Sequence, residues 1–425
     1  MKNTNKVAIA AVLALLLSGF AFSQKAFITV KVPGSSPNSL IAINNGGQVL
    51  VNTATGTSYQ VSIWSRLAGA QSVAVNANNT GGAAINSSGD VVGAGDPDNS
   101  GNLQAFVWRP TSGAQWLGSL GGNLSSARGI NNSSAVVGLS YTAASTQHAF
   151  LWTQGGGLQD LTPDLTSIGG ATAVAINSSN QVVGYYFPNG SRNTLGFIWT
   201  QAGGVQNLGS AGTLAYDVND SGTVVGQSPV ANGNEHAFSW TQTGGIKDLG
   251  TLGGGYSSAL SINNQGWIVG TSLTSSGDGR LRGFLWTPSG GMQDFAVLTG
   301  LGLTVQPYSM QVNDFGVIAI TTNKYAYLLV PRMTGIFTSS ANPSVLGQPV
   351  TFTATMTSIA GPPPDGETLQ FVVSGKVYGS ATLKGGVAQF TTSAIPVGSH
   401  VVVAKYNGNA NYLASRYSLT QVVNP

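Results

Sequence analysis

The sequence predicts an all-β protein: a seven-bladed β-propeller followed by an immunoglobulin-like β-sandwich. Three observations predict it. Nearly the same nine residues recur at 43, 85, 130, 176, 218, 262 and 312, as INNGGQVLV, INSSGDVVG, INNSSAVVG, INSSNQVVG, VNDSGTVVG, INNQGWIVG and VNDFGVIAI. The copies align without a gap and start 42 to 50 residues apart, the spacing of a four-stranded propeller blade. The composition agrees: 59 Gly, 42% hydrophobic and only 7% charged residues, against roughly 25% charged in an ordinary soluble domain. That mix suits tight turns between short strands and not helices, which draw on Ala, Leu, Glu and Lys. After residue 334 the repeat stops and a period-two alternation begins, clearest in VTFTATM from Val350 to Met356. Such alternation marks a strand buried on one face.

Residues 1–23 read as an export signal. Lys2 and Lys6 precede an apolar run from Val7 to Leu17, and Ala21 and Ser23 stand where a signal peptidase reads small residues. The run is shorter than the about 20 residues a membrane span needs, and no later run is long enough. A secreted, extracellular or cell-envelope protein is expected, with no transmembrane segment once the signal is removed. Cys is absent, so stability must come from burial and strand pairing, not disulfides. Residues 24–334 are enough to bury such a core. The net charge of +3 comes from the signal and the tail, and the repeat region is near neutral. Without a basic stripe, nucleic acid is not an expected partner.

Each repeat holds four short apolar segments; in the third they are 127–134, 135–142, 148–154 and 157–163. The nine-residue motif is the hairpin joining the first two. Its fifth residue is Gly47, Gly89, Gly222, Gly266 or Gly316, with Asn180 in one copy and Ser134 in another. Gly and Asn suit a position of positive φ, and Ser134 is the misfit. The second residue is Asn in every copy: Asn44, Asn86, Asn131, Asn177, Asn219, Asn263 and Asn313. An Asn side chain bonds amides within its own turn, so a structural role is expected. The third segment ends on Trp64, Trp108, Trp152, Trp199, Trp240 or Trp286, and on Leu329 in the seventh unit. Six Trp could form a sugar-stacking ring. Because Leu329 serves too, packing between neighbouring sheets is the better reading. No fourth segment follows Leu329, but FITVKVPGSS at 27–36 has that character. The N-terminal strand is therefore expected to complete the seventh blade and close the ring, which removes exposed edges. An open solenoid would want polar caps at both ends.

The segment HAF at His148–Phe150 and His236–Phe238 is followed by LWT or SWT. GG-x-x-DLG-x-LGG then runs from Gly244 to Gly254, and INN-x-G-x-x-VG from Ile262 to Gly270. The combination resembles the bacterial extracellular repeat of the HAF type, over residues 26 to about 331. Gln104, Gly196 and Gly283 depart from the name-giving letters. The resemblance implies secretion or surface display and no defined activity.

In residues 335–425 further strands are expected at 368–373, 378–383, 387–392, 400–406 and 417–423. About seven short strands make a sandwich. NPSVLGQPVTFTATM and VAQFTTSAIPVGSHVVVAKYNGNANYLAS resemble the bacterial Ig-like repeats of surface and adhesion proteins. Such modules are spacers or adhesive units. Asn409 stands where an Asp is common in them, which speaks against a metal role there.

No catalytic or cofactor constellation stands out. His148, His236 and His400 lie in three different places, so no convergence on a metal is expected. Asp160, Asp248 and Asp294 share one blade position and Asp220 and Asp314 share the hairpin turn, so the fold accounts for them. Asp96, Asp98, Asp164, Asp217, Glu235 and Asp278 are less periodic. A polysaccharide-active hydrolase or lyase would have to draw its carboxylate pair from these, facing each other in one pocket. The best local metal motif is Asp96-Pro-Asp98-Asn-Ser100-Gly101-Asn102, with the alternating oxygens and Gly turn of a calcium loop. Asp96, Asp98 and Ser100 are its candidate ligands; position twelve is Val107 rather than an acid. The favoured function is non-catalytic binding or scaffolding at the surface, with glycans or other envelope proteins as partners; the competing ones are the enzyme and pure structural display. Loops on one propeller face would carry recognition.

Overall fold

The computed structural model describes residues 25–35, 39–55, 58–163, 168–188, 191, 193–300 and 305–425. The export signal expected at 1–23 lies outside these residues. Seven antiparallel four-stranded units follow one another, each built from strands consecutive in the chain except the last, and a parallel bridge between Glu235 and Tyr256 joins the fifth to the sixth. The third is Gly121–Ile130, Val136–Thr142, Gln147–Thr153 and Gly157–Asp160. The seventh takes Val305–Val312, Ile318–Thr322 and Ala326–Pro331, and its outermost strand is Phe27–Lys31 from the N-terminus. Phe27 pairs with Pro331 and Lys31 with Tyr327. The first and last strands of the repeat region thus share one sheet and close the propeller, as the displaced fourth segment predicted.

The hairpins obey the positional logic of the motif. Its fifth residue has positive φ in all seven copies, and Ser134 adopts it too, at 60°. The Ser134 hydroxyl donates to Asp90 Oδ2 of the preceding blade at 2.7 Å, a bond Gly could not make. The ninth residue is held by a different constraint. The inner strand bulges between Ala215 and Asp217, and a Cβ on Gly226 would stand 1.9 Å from the Leu214 carbonyl oxygen. Gly138 and Gly184 face the same clash at 2.0 Å. Gly226→Ala is therefore expected to cost about 3 kcal/mol, the upper range for overpacking. Gly155→Ala, which has nothing within 4 Å, is expected to change little. Urea unfolding of the two variants measures the difference.

The core lies between blades. Val136, Phe150 and Trp152 of the third blade meet Val92, Ala105 and Val107 of the second. Trp199 meets Val137 and Leu151 in the same way, and Trp240 meets Val183 and Ile198. In the seventh blade Leu329 packs against Val269 and Leu285. The bulky residue ending each third strand is thus inter-sheet filling, which leaves no ring of Trp open to a sugar.

The C-terminal unit is a sandwich. Its three-stranded sheet is Thr334–Ser339, Val350–Thr357 and Val387–Thr392. Its five-stranded sheet runs Ser344–Val345, Ser415–Asn424, Gly398–Tyr406, Thr368–Val373 and Lys376–Thr382. Phe352, Phe371, Ala404 and Tyr406 meet between the sheets. No helix among the described residues is long and apolar enough to cross a membrane.

Candidate functional site

The motif's Asn does more than hold its own turn. Asn44 donates from Nδ2 to the backbone carbonyl of Asn86 (2.7 Å), Asn86 to Asn131 (3.2 Å), Asn131 to Asn177 (3.0 Å) and Asn177 to Asn219 (3.0 Å). Asn219 continues to Asn263 (3.1 Å), Asn263 to Asn313 (2.9 Å), and Asn313 returns to Asn44 (3.1 Å). A closed ring of side-chain bonds joins all seven blades around the central axis. Each Oδ1 meanwhile accepts the amide of the residue four positions on, at 2.9 to 3.0 Å. One amide group thereby fixes a turn and a neighbour together. All seven Asn are buried, where such polar groups need partners.

A second, partial ring lies outside the first. Asp314 accepts from the Asn264 amide at 2.7 Å, Asn45 Oδ1 from the Asp314 amide at 2.9 Å, and Asp220 from the Ser178 amide at 2.9 Å. Burial opposes ionisation of Asp220, but the Ser178 N–H and hydroxyl and the Asn264 amide hold its carboxyl below the ordinary range. These residues line a cavity of about 180 Å³ at the narrow mouth of the channel.

The sandwich docks on this narrow face. Asn411 Oδ1 accepts from Asn313 Nδ2 at 2.8 Å, and its Nδ2 donates to the Asn45 carbonyl at 2.9 Å. Arg66 donates to the carbonyls of Asn409, Ala410 and Tyr412. The Tyr412 ring meets Phe315 edge-on at 6.2 Å. Asn409 shapes this loop: its Oδ1 accepts the amides of Asn411 and Tyr412, and its Nδ2 donates to Glu367 at 2.7 Å.

On the other side of an aliphatic layer that includes Ile43, Ile85, Ile130 and Ile262, the channel widens into a funnel of about 660 Å³. Among the described residues its charged lining residues are Arg128 and Asp217. Asp217 Oδ2 accepts from the Ile262 amide of the next blade at 2.9 Å and Oδ1 from Val218 at 2.8 Å. It opens onto the channel yet is surrounded by protein, and this desolvation pushes its pKa up to about 6 despite those bonds. The unfolded value is about 3.9, so the folded state binds the extra proton between about pH 4 and 6. Stability from this group is complete below that window and is lost as pH rises through it. Asp217→Ala is expected to remove this dependence. Relative to the variant, the native protein should be less stable at pH 7 than at pH 4.5 in urea unfolding.

The candidate calcium ligands close a turn. Asp96 is buried; its two oxygens accept the amides of Ser100 (3.1 Å) and Gly101 (2.8 Å), and Asp98 also accepts from Ser100 (3.2 Å). The Asp96 and Asp98 oxygens thus serve the loop's own amides, the Ser100 hydroxyl accepts from Asn102, and Val107 is buried. We propose that the loop is a turn capped by its own amides and holds no calcium. Millimolar calcium is expected to leave the melting temperature unchanged relative to EDTA; a rise in calcium would restore the ion.

Asp96 and Asp98, Glu235 and Asp278 lie in or beside the links between second and third strands of three different blades. Glu235 accepts from Gln227 at 2.8 Å and Asp278 lies 3.7 Å from Arg282. Asp164 lies outside the described residues. Of the six less periodic acids, Asp217 lines the funnel. The His of the HAF segment pairs with the Asp of the fourth strand: His148 Nδ1 is 2.7 Å from Asp160 and His236 Nδ1 2.9 Å from Asp248. The two positions lie on adjacent strands, so the spacing could have shown this pairing. Arg128 and Asn411 carried no pattern that singled them out.

Residues 337–424 match the family described as "Bacterial Ig-like domain (group 3)". No curated protein matches the chain. Among solved structures the fold is similar to a streptogramin B lyase, at 12% identity and TM-score 0.47, over 73% of this chain and 100% of that one. It is similar to the extracellular domain of a hybrid two component system from B. thetaiotaomicron, at 10% identity and TM-score 0.42, over 95% and 59%. It is also similar to TolB from Acinetobacter baumannii, at 10% identity and TM-score 0.37, over 72% and 96%. The protein is an all-β, propeller-like chain that carries a bacterial Ig-like domain at its C-terminal end.

Proposed function

We propose a secreted or cell-surface protein that binds and scaffolds without catalysis, recognising a glycan or another envelope protein through the wide funnel of the propeller. The placement of the sandwich carries this reading. Its 409–412 loop covers hairpins of the first and seventh blades on the narrow face, while the funnel of about 660 Å³ opens on the other. That volume is in the range of small-ligand sites. The funnel opens on the face that carries the links between second and third strands and the links from each fourth strand to the next blade, and such loops on a rigid frame carry recognition. The export signal expected at 1–23, the HAF-type repeats and the Ig-like domain all favour a place outside the cell.

The test is binding of the purified chain from Gln24 onward to a glycan and cell-wall polysaccharide array, beside an Ala83→Trp variant that fills the funnel. Saturable binding lost in the variant supports the reading. Binding retained in the variant moves the site away from the funnel. No binding by either protein removes glycans and leaves a protein partner or structural display.

A further inference from the structure

The funnel wall is not uniform, and its asymmetry bears on what enters. Two residues before the aliphatic layer, the seven inner strands place Ile41, Ala83, Arg128, Val174, Tyr216, Leu260 and Met310. Six of the seven are uncharged, so the fold does not demand a cation at this level. Arg128 is exposed and makes no ion pair or side-chain hydrogen bond among the described residues. Among the described residues the acid that lines the funnel is Asp217, two blades away with an amide on each oxygen. Around Arg128, the third to fifth blades add Thr172, Tyr185 and Tyr216, whereas the opposite wall is Leu260, Met310, Ile41 and Ala83. One side therefore offers a guanidinium fork, hydroxyls and an aromatic face; the other is mainly aliphatic carbon, with Ser261 and Gln311 one residue deeper.

From this juxtaposition, and resting on the reading of the funnel as a binding site, we infer that the ligand is a sugar bearing a carboxylate, bound through Arg128. A guanidinium takes a carboxylate in a bidentate pair, and low-dielectric walls strengthen the attraction. Pyranose hydroxyls meet the Thr and Tyr side, and the C–H face of the ring meets the aliphatic side. Below, the Ile layer and the Asn ring stand between the funnel and the narrow mouth. A polymer cannot thread past them, so the sugar acid enters as a chain end or as a free monosaccharide.

The test is calorimetric titration of the purified protein and of Arg128→Gln with galacturonic acid, digalacturonate and its methyl ester. Arg128→Gln lines the funnel without packing in the core, so folding is expected to be unaffected, which thermal melting checks. Digalacturonate is expected to bind the native protein and to lose roughly 10- to 100-fold in Arg128→Gln, the range of a charge-assisted pair. The methyl ester should bind the two proteins alike. Equal affinity for mono- and disaccharide identifies a free sugar acid; tighter binding of the disaccharide identifies a chain end. Acid binding that is indifferent to Arg128→Gln overturns the inference. If array glycans bind but every acidic probe fails, the inference falls and the funnel reading stands. If neither binds, both fall.

Discussion

Asn177→Ala is expected to destabilise the propeller by about 3–4 kcal/mol, more than any surface change. The Asn177 side chain makes four bonds while buried. Its Oδ1 accepts the amides of Ser179 (3.1 Å) and Gln181 (2.9 Å). Its Nδ2 donates to Gln181 Oε1 (2.7 Å) and to the Asn219 carbonyl in the next blade (3.0 Å). Truncation strands two amides and one carbonyl, each worth about 1–3 kcal/mol when left without a partner. Channel water can recover part of that, which sets the estimate below the simple sum. Asn177→Asp is the sharper variant. It keeps the Oδ1 acceptor for the turn but places an oxygen against the Asn219 carbonyl and Gln181 Oε1, so it tests the Nδ2 bonds, of which the one to Asn219 joins the blades. Asn132, one position outward, contributes a single exposed bond to Ser87 at 2.9 Å, and Asn132→Ala should cost under about 1 kcal/mol. Urea unfolding of the three variants gives the order. An Asn177→Asp protein as stable as the native one would mean the ring bonds are incidental to blade association.

What could be read from the sequence was what repeats within one blade. The hairpin, its positive-φ residue, the Trp at the end of the third strand and the displaced fourth strand at Phe27–Lys31 each have a local signature. Even the misfit Ser134 was correctly placed, because the backbone of the turn dictates φ whatever residue stands there. The Asn was assigned to its turn, and that half was right. The other half was illegible because its acceptor is 42 to 50 residues along the chain, in the next blade. A one-dimensional pattern shows what each blade needs, not how blades face each other. The same limit hid the funnel. Arg128 and Asp217 are single departures at repeat positions filled elsewhere by uncharged residues, such as Ile41 and Ala42. Only closure of the ring brings the two into one cavity. The Asp96–Asn102 loop was ambiguous for another reason: its spacing is shared by calcium loops and by turns that bind their own amides, and its Asp96 oxygens take the amides of Ser100 and Gly101.

Replacing Asn411 and Arg66 together by Ala is expected to release the sandwich from the propeller while leaving both folded. In four blades a second acceptor completes the ring Asn: Gln48 for Asn44, Asp90 for Asn86, Asn180 for Asn131 and Gln181 for Asn177. In the seventh blade the corresponding residue is Val317, which has no acceptor, and Asn411 of the sandwich supplies the oxygen at 2.8 Å. The same side chain donates to Asn45 of the first blade at 2.9 Å, so it straddles the seam where the ring closes. Arg66 adds bonds to three loop carbonyls, those of Asn409, Ala410 and Tyr412. Domains joined by one short linker move relative to each other unless such contacts hold them. Loss of five hydrogen bonds, at about 1 kcal/mol each, should outweigh what Phe315 and Tyr412 retain. Small-angle scattering should then show a larger radius of gyration, and trypsin should cut faster after Arg332, whose Nε now bonds the Lys25 carbonyl at 2.8 Å. An unchanged scattering profile would place the hold in the apolar contacts instead. The distinction matters for function. A sandwich fixed on the narrow face points the funnel away from whatever the sandwich is attached to, whereas a tethered one leaves the funnel free to turn in any direction.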